Sequence, residues 1–138
     1  MYHQKLKASY FNRLSQGHFP GLLGITITHL EEGKLQAKMS IKKDFFAPNG
    51  YLHAGSLVTL ADTVAGYATV AHLPEKGESF TTLELKSNFL GAAKEGTLLC
   101  ECTAEHLGRT TQVWRAEVRH EQTDKRIAIF SCTQLILY

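Results

Sequence analysis

The sequence predicts an α+β fold: one long apolar helix wrapped by an antiparallel β-sheet of about six strands, with a short helix in front of it. Three observations carry this reading. From Ala54 to His72 the chain is almost entirely Ala, Leu, Val, Thr, Gly and Tyr, and Asp62 is its only formal charge. A run of that length with so little polarity is a fully buried helix. Two strand-length runs precede it and four follow it, several with the two-residue alternation of a pleated surface. The composition is also ordinary: 138 residues, 43% hydrophobic and 20% charged. That excludes disordered, collagen-like and coiled-coil chains and fits a single domain over 1–138.

The elements follow in order. Residues 1–16 place Leu6, Tyr10, Phe11 and Leu14 at roughly helical spacing, which predicts an N-terminal helix. Gly and Pro punctuate a loop over 17–24. Gly-Ile-Thr-Ile-Thr-His-Leu-Glu at 24–31 reads as a strand, Glu32-Gly33 as a turn and 34–41 as a second strand, together a hairpin. Residues 45–52 are irregular, with Pro48 and Asn49-Gly50 marking a turn. The central helix occupies 53–73 with its flanks, and Pro74 and Gly77 end it. Residues 80–90, 96–107, 110–121 and 126–137 then form a β meander over 80–137. Leu98, Cys100, Cys102 and Ala104, and again Trp114, Ala116 and Val118, mark the inward phase. The sheet covers one side of the helix. The other apolar side still needs a cover, and a second subunit is the obvious one.

Charge and cysteine usage narrow the function classes. Fifteen Lys+Arg against thirteen Asp+Glu leave a net charge of +2, too little to argue for nucleic acid. No apolar run reaches the roughly 18 residues of a membrane helix. No apolar stretch follows Met1-Tyr2-His3-Gln4-Lys5, so neither a membrane anchor nor a signal peptide is expected and the expected compartment is the cytoplasm. Cys100, Cys102 and Cys132 read as small buried hydrophobes. A CxC metal site lacks further ligands at suitable spacing, so no metal is expected.

Two residues stand out chemically. A lone carboxylate at Asp62, among Leu60, Ala61, Val64 and Ala65, is costly to bury. It is either a solvated or capped surface group or a nucleophile or general base with an environment-shifted pKa. His53 sits where the 48–52 loop enters the helix. Ala54 and Gly55 behind it offer backbone N–H groups at the positive helix end, where an oxyanion can be held. A helix-capping role for His53 is compatible with that. His53 and Asp62 are nine positions apart, about 13 Å along the axis and half a turn off. They cannot act on one atom within one helix. Two antiparallel copies across a twofold axis bring one His53 near the other chain's Asp62.

The stretch from Asn49-Gly50-Tyr51-Leu52-His53-Ala54-Gly55 to Leu60-Ala61-Asp62, followed by Thr82-Leu83-Glu84-Leu85-Lys86-Ser87-Asn88-Phe89-Leu90, resembles the hotdog-fold acyl-CoA thioesterases of the PaaI type over about 20–137. The resemblance implies a central helix wrapped by an antiparallel sheet. It also implies self-association as a homodimer and commonly a homotetramer, and hydrolysis of aryl- or acyl-CoA thioesters to free acid and CoA, without metal or separate cofactor. It assigns the catalytic carboxylate to Asp62 and the active-site histidine of the family's G-x-x-H-G-G loop to His53. The carbonyl-polarising N–H falls to Ala54, with Gly55 adjacent, and a water-holding hydroxyl to Thr82, with Thr81 the near miss. Asn49 and Gly50 fall in the loop at the thioester. Gly108, Arg109 and Thr110 fall in a loop that often touches CoA, where Arg109 is either a partner for a phosphate or a solvated turn charge. Ala47 stands where many members carry Asn, six residues before the histidine, and Gly91-Ala92-Ala93 stands where Arg-Pro-Ala is frequent.

Gly17-His18-Phe19-Pro20-Gly21 is similar to the signature of hotdog β-hydroxyacyl-carrier-protein dehydratases, and Glu32 has the spacing of their catalytic Glu. That Glu belongs on the central helix, whereas Glu32 falls in a hairpin turn, so dehydration is not expected. Besides the thioesterase reading, a non-catalytic acyl-CoA or aromatic-ligand binder draws support from Ala47. A purely structural oligomerisation module leaves Asp62 unexplained. Phe45, Phe46, Tyr51 and Tyr67 either line an aromatic acyl pocket or belong to the core.

Overall fold

A computed structural model describes residues 1–138. Helix α1 (Ala8–Ser15) and a single turn α2 (Phe19–Leu22) precede a hairpin of β1 (Thr26–Glu31) and β2 (Lys34–Ser40). A 3-10 turn at Lys43–Phe45 leads to the long helix α3 (Ala54–Ala71). Strands β3 (Ser79–Phe89), β4 (Thr97–Leu107), β5 (Thr111–His120) and β6 (Arg126–Leu137) complete the chain. No helix is long and apolar enough to cross a membrane.

All six strands form one antiparallel sheet in the order β1-β2-β4-β5-β6-β3. This corrects the expected meander. Strands β4, β5 and β6 are sequential neighbours, but β3 crosses to the far edge and pairs with β6 while β4 pairs with β2. Local alternation cannot see a crossover, because β3 has the same pattern beside either neighbour. The first helix is shorter than the expected 1–16, and the loop over 17–24 contains α2, with Pro20 in its first turn, where a missing N–H is harmless.

The sheet curls around α3. Leu57, Leu60, Ala61, Val64, Ala65 and Ala68 of the helix meet Leu35, Met39, Leu98, Cys100, Cys102, Trp114, Val118 and Phe130 in one core. Each large apolar side chain buried there contributes about 1.5–3 kcal/mol. The inward phase expected on β4 and β5 holds, with Leu98, Cys102, Trp114 and Val118 fully buried. The three cysteines are free and buried. Burial pushes the Cys100 thiol up to about 12, as suits small apolar side chains.

The helix is not fully buried as its composition predicts. Val58, Thr59, Thr63, Tyr67 and Val70 form a half-buried stripe that the sheet leaves open, and Asp62 is half-buried at its edge. The N-terminal segment covers part of that stripe. Phe11 stacks on Tyr67, whose hydroxyl lies 2.7 Å from Ser15 Oγ, and Tyr2 stacks on His72.

His72, just past the end of α3, is only 1% exposed. Its Nε2 accepts the Gly33 N–H at 2.8 Å, so Nδ1 carries the proton and donates to the Ala68 carbonyl at 2.7 Å. Burial holds its pKa below the ordinary 6.5. The folded state therefore keeps His72 neutral where the unfolded chain would protonate it. Stability is retained above pH 6.5 and falls as pH drops through the window below it. Thermal midpoints measured from pH 8 to pH 5 are expected to fall, and His72→Gln is expected to flatten that slope. Equal slopes in the two proteins would refute the assignment.

Candidate active site

Two clusters of the expected residues lie at different heights on α3. The first is at its N-terminus. Asn49 Oδ1 accepts the Tyr51 N–H at 3.2 Å, and Gly50 takes φ +87°, a left-handed conformation that suits glycine. The turn returns the chain so that the His53 N–H donates to the Phe45 carbonyl at 2.8 Å. Asn49 is thus a turn former whose side-chain oxygen is already used.

His53 caps the helix. Its Nδ1 accepts the Gly55 N–H at 2.8 Å, which leaves Nε2 to carry the proton of the neutral ring. This corrects the expectation that both Ala54 and Gly55 offer free donors, because the cap consumes the Gly55 N–H. The Ala54 N–H makes no hydrogen bond within the protomer. It remains open at the positive end of an 18-residue helix. Gly55 has its own reason to be glycine: a Cβ there would lie 2.9 Å from His53 Nδ1.

Beside Ala54 lies an apolar pocket of about 250 Å³, between Tyr51, Leu52, Ala54 and Leu57 on one segment and Phe89, Gly91 and Ala92 on another. Of the four aromatic candidates, only Tyr51 lines it. Phe45 packs against the core from below the helix start, and Tyr67 is taken up by Phe11 and Ser15. A larger hollow, about 550 Å³, opens on the outer face of the sheet among Lys38, Glu101, Arg115 and Arg119, and contains none of the expected site residues.

The second cluster surrounds Asp62. Its Oδ1 is buried and makes no hydrogen bond. Burial alone pushes its carboxyl above the ordinary carboxylate range. Asp62 faces β6 and β3: burial, then the charges of Asp62 and Glu84, push the Cys132 thiol up to about 12, and Cys132 pairs with Leu85. One turn further on, a Cβ at Gly66 would lie 3.1 Å from the Phe80 ring, so glycine lets β3 approach the helix.

Thr82 pairs with Gln134 across β3 and β6, and its neighbours Phe80 and Leu85 pair with Ile136 and Cys132. Residues opposite each other share a face, so Thr82 lies on the helix side, as its expected role requires. Thr81 pairs with Leu135 on the outer face. The loop Gly108-Arg109-Thr110 lies at the same end as Ser79: the Thr110 carbonyl accepts the Ile136 N–H, and Tyr138, beyond the Ser79–Leu137 pair, donates its hydroxyl to the Arg109 carbonyl. Arg109 is exposed and forms no ion pair. Within one protomer this group does not meet Ala54, which is about 12 Å from Asp62 along the helix. His18 is the residue before α2, and Glu32 lies in the β1–β2 turn rather than on α3, as the spacing argument anticipates.

Gln134 is a polar residue that the reading of the sequence left out. The signal was present, because it occupies the inward phase of Phe130, Cys132, Gln134 and Ile136.

Comparison with known proteins gives a consistent picture. The model of the thioesterase superfamily matches residues 49–127. A 1,4-dihydroxy-2-naphthoyl-CoA hydrolase of Listeria monocytogenes is 32% identical over 111 residues, 80% of this chain and 89% of that protein. Among solved structures, a thioesterase of Haemophilus influenzae superposes with TM-score 0.91 at 26% identity, over 99% of this chain and 94% of that one. The PaaI protein of Escherichia coli, at 22% identity, shares the fold with TM-score 0.81 over 96% of this chain and 97% of its own.

Proposed function

The chain belongs to the thioesterase superfamily and is an acyl-CoA thioester hydrolase; we propose that it works through active sites shared by two protomers. The observation that carries this reading is the separation of its two reactive features on one helix: a donor without acceptor at Ala54 and a carboxylate without partner at Asp62. Each is half of a hydrolytic site.

The edge strand β3 joins the halves. It is 11 residues long, unpaired on one side, and exposes Leu83 (57%), Leu85 (41%) and Phe89 (46%). A long apolar edge is a hazard unless covered. A second copy across a twofold axis covers it with an antiparallel strand. That operation sets the partner's Phe89 end, with its pocket and Ala54, against this protomer's Ser79 end, with Thr82 and Asp62. Arg109 then lies at the same mouth, placed to pair with a CoA phosphate.

In the proposed step the thioester carbonyl oxygen accepts the Ala54 N–H of one protomer, with His53 shaping that helix end. Asp62 of the other protomer either takes a proton from a water held by Thr82, whose oxygen attacks the carbonyl carbon, and passes that proton to the sulfur as the C–S bond breaks, or attacks the carbonyl itself, releasing CoA thiolate and leaving an anhydride that water hydrolyses to the free acid. The reaction needs no metal or separate cofactor, since CoA enters with the substrate. The apolar pocket beside Ala54 fits a compact aryl group, and the naphthoyl-CoA hydrolase at 32% identity supports an aromatic acid. We propose a homodimer as the catalytic unit, a homotetramer as its assembly, and the cytoplasm as its setting, in keeping with three free cysteines.

Free-thiol release from a panel of aryl- and aliphatic CoA esters tests this reading. Turnover with preference for aryl esters is expected. Binding of CoA esters without release from any of them would instead favour the non-catalytic binder, for which Ala47 is the supporting residue.

A further inference from the structure

Two glutamines sit side by side on the inner face of the sheet, and only one of them has partners. Gln112 of β5 pairs in register with Gln134 of β6, and they are 1% and 0% exposed. Gln112 is satisfied at both ends: its Nε2 donates to the His72 carbonyl at 2.8 Å and its Oε1 accepts the Trp114 indole N–H at 2.9 Å. Gln134 makes no hydrogen bond through either atom. An unpaired amide in a core is costly, and Met or Leu would fill the same space without that cost.

The remaining unpartnered buried side-chain atom is Oδ1 of Asp62. The orphaned groups thus fall on two residues that face the same space from α3 and from β6. Thr82, exposed in the protomer, belongs to the strand next to β6. It is directly opposite Gln134 on β3, where paired Cβ atoms are about 4.5–5.5 Å apart. The register slips immediately after it, between Thr82 and Glu84. Bulges of this kind re-aim the side chains beside them.

We propose that Gln134 is a positioning residue for hydrolysis: its Oε1, which has no partner in the protomer, accepts the Thr82 hydroxyl hydrogen once substrate and the attacking water are bound, so that Thr82 Oγ1 is left as an acceptor for that water. A water with one hydrogen on Asp62 and the other on Thr82 Oγ1 turns a lone pair toward the thioester carbon. A free threonine rotor would instead spend part of its time donating to that lone pair. Gln112 cannot serve in this way because both of its ends are engaged. The inference rests on the hydrolase reading above and deepens it.

The test is a double-mutant cycle read by kcat, KM and thermal midpoint. Gln134→Met is expected to lower kcat about tenfold with KM unchanged and the midpoint equal or higher. Thr82→Val is expected to lose a similar factor, and the double variant no more than either single one, because both act through one hydroxyl. Thr82→Ser is expected to retain activity only while Gln134 is present. Gln134→Leu is the second replacement if the methionine variant does not fold. Wild-type kcat in a folded Gln134 variant, or losses that multiply in the double variant, overturns the positioning role alone. A wild-type protein that releases no thiol from any ester overturns the hydrolase reading instead, and the positioning role with it.

Discussion

Asp62→Asn is expected to lower kcat by about 10²–10⁴-fold, the range a positioned general base contributes, while the protein stays folded and self-associated. Asparagine matches aspartate in size but cannot take a proton or attack a carbonyl. The stability effect has the opposite sign from the activity effect. Burial raises the Asp62 carboxyl above its ordinary range, so the folded state holds its charge at a cost above that raised value. Replacing it with a neutral amide removes the cost, and the thermal midpoint at neutral pH is expected to stay level or rise. The same shift sets the acid limb of the wild-type pH profile. Activity requires the ionised carboxylate, so it rises with pH through a midpoint above the usual carboxylate range. Near-wild-type turnover in the asparagine variant would refute the assignment.

Ala54→Pro is the second large effect, and its value lies in how little else it changes. Ala54 is the first residue of α3, where proline is favoured and its missing N–H breaks no helical bond. His53 before it already has φ −61° and ψ 132°, the extended region that a residue preceding proline prefers. Ala54 is exposed, so the ring meets no packed neighbour. The substitution therefore deletes one donor with a stability change under about 1 kcal/mol. Loss of an oxyanion donor lowers kcat by about 10²–10³-fold. Folded protein with undiminished kcat would move the oxyanion site elsewhere. The two variants together test the shared site. Equal mixtures of Ala54→Pro and Asp62→Asn chains, dissociated and reassociated, form mixed dimers in which one site has both intact halves. Recovery of about a quarter of wild-type activity is expected if sites are shared across a twofold axis. No recovery, with mixed dimers present, would place both groups in one protomer's site.

The sequence by itself determined most of the local structure and singled out the candidate site. The run from Ala54 to His72 had no stable alternative to a core helix, because its composition cannot be solvated. The alternation in Leu98–Cys102 and Trp114–Val118 set which strand face points inward. Asp62 stood out because a charge inside such a helix is costly without a purpose, and Gly50 and His53 stood out from turn and cap chemistry. Tertiary structure alone decided the rest. The place of β3 at the sheet edge depends on a crossover that no local pattern encodes. The Gly55 N–H was lost to His53 because a cap forms at hydrogen-bond distance, and distance is a three-dimensional fact. Thr82 and Gln134 are 52 positions apart in the chain and opposite each other in the sheet. A sequence reports which groups are costly to bury. Only the fold shows which of those costs are met by a partner, as for Gln112, and which are left open, as for Gln134 and Asp62.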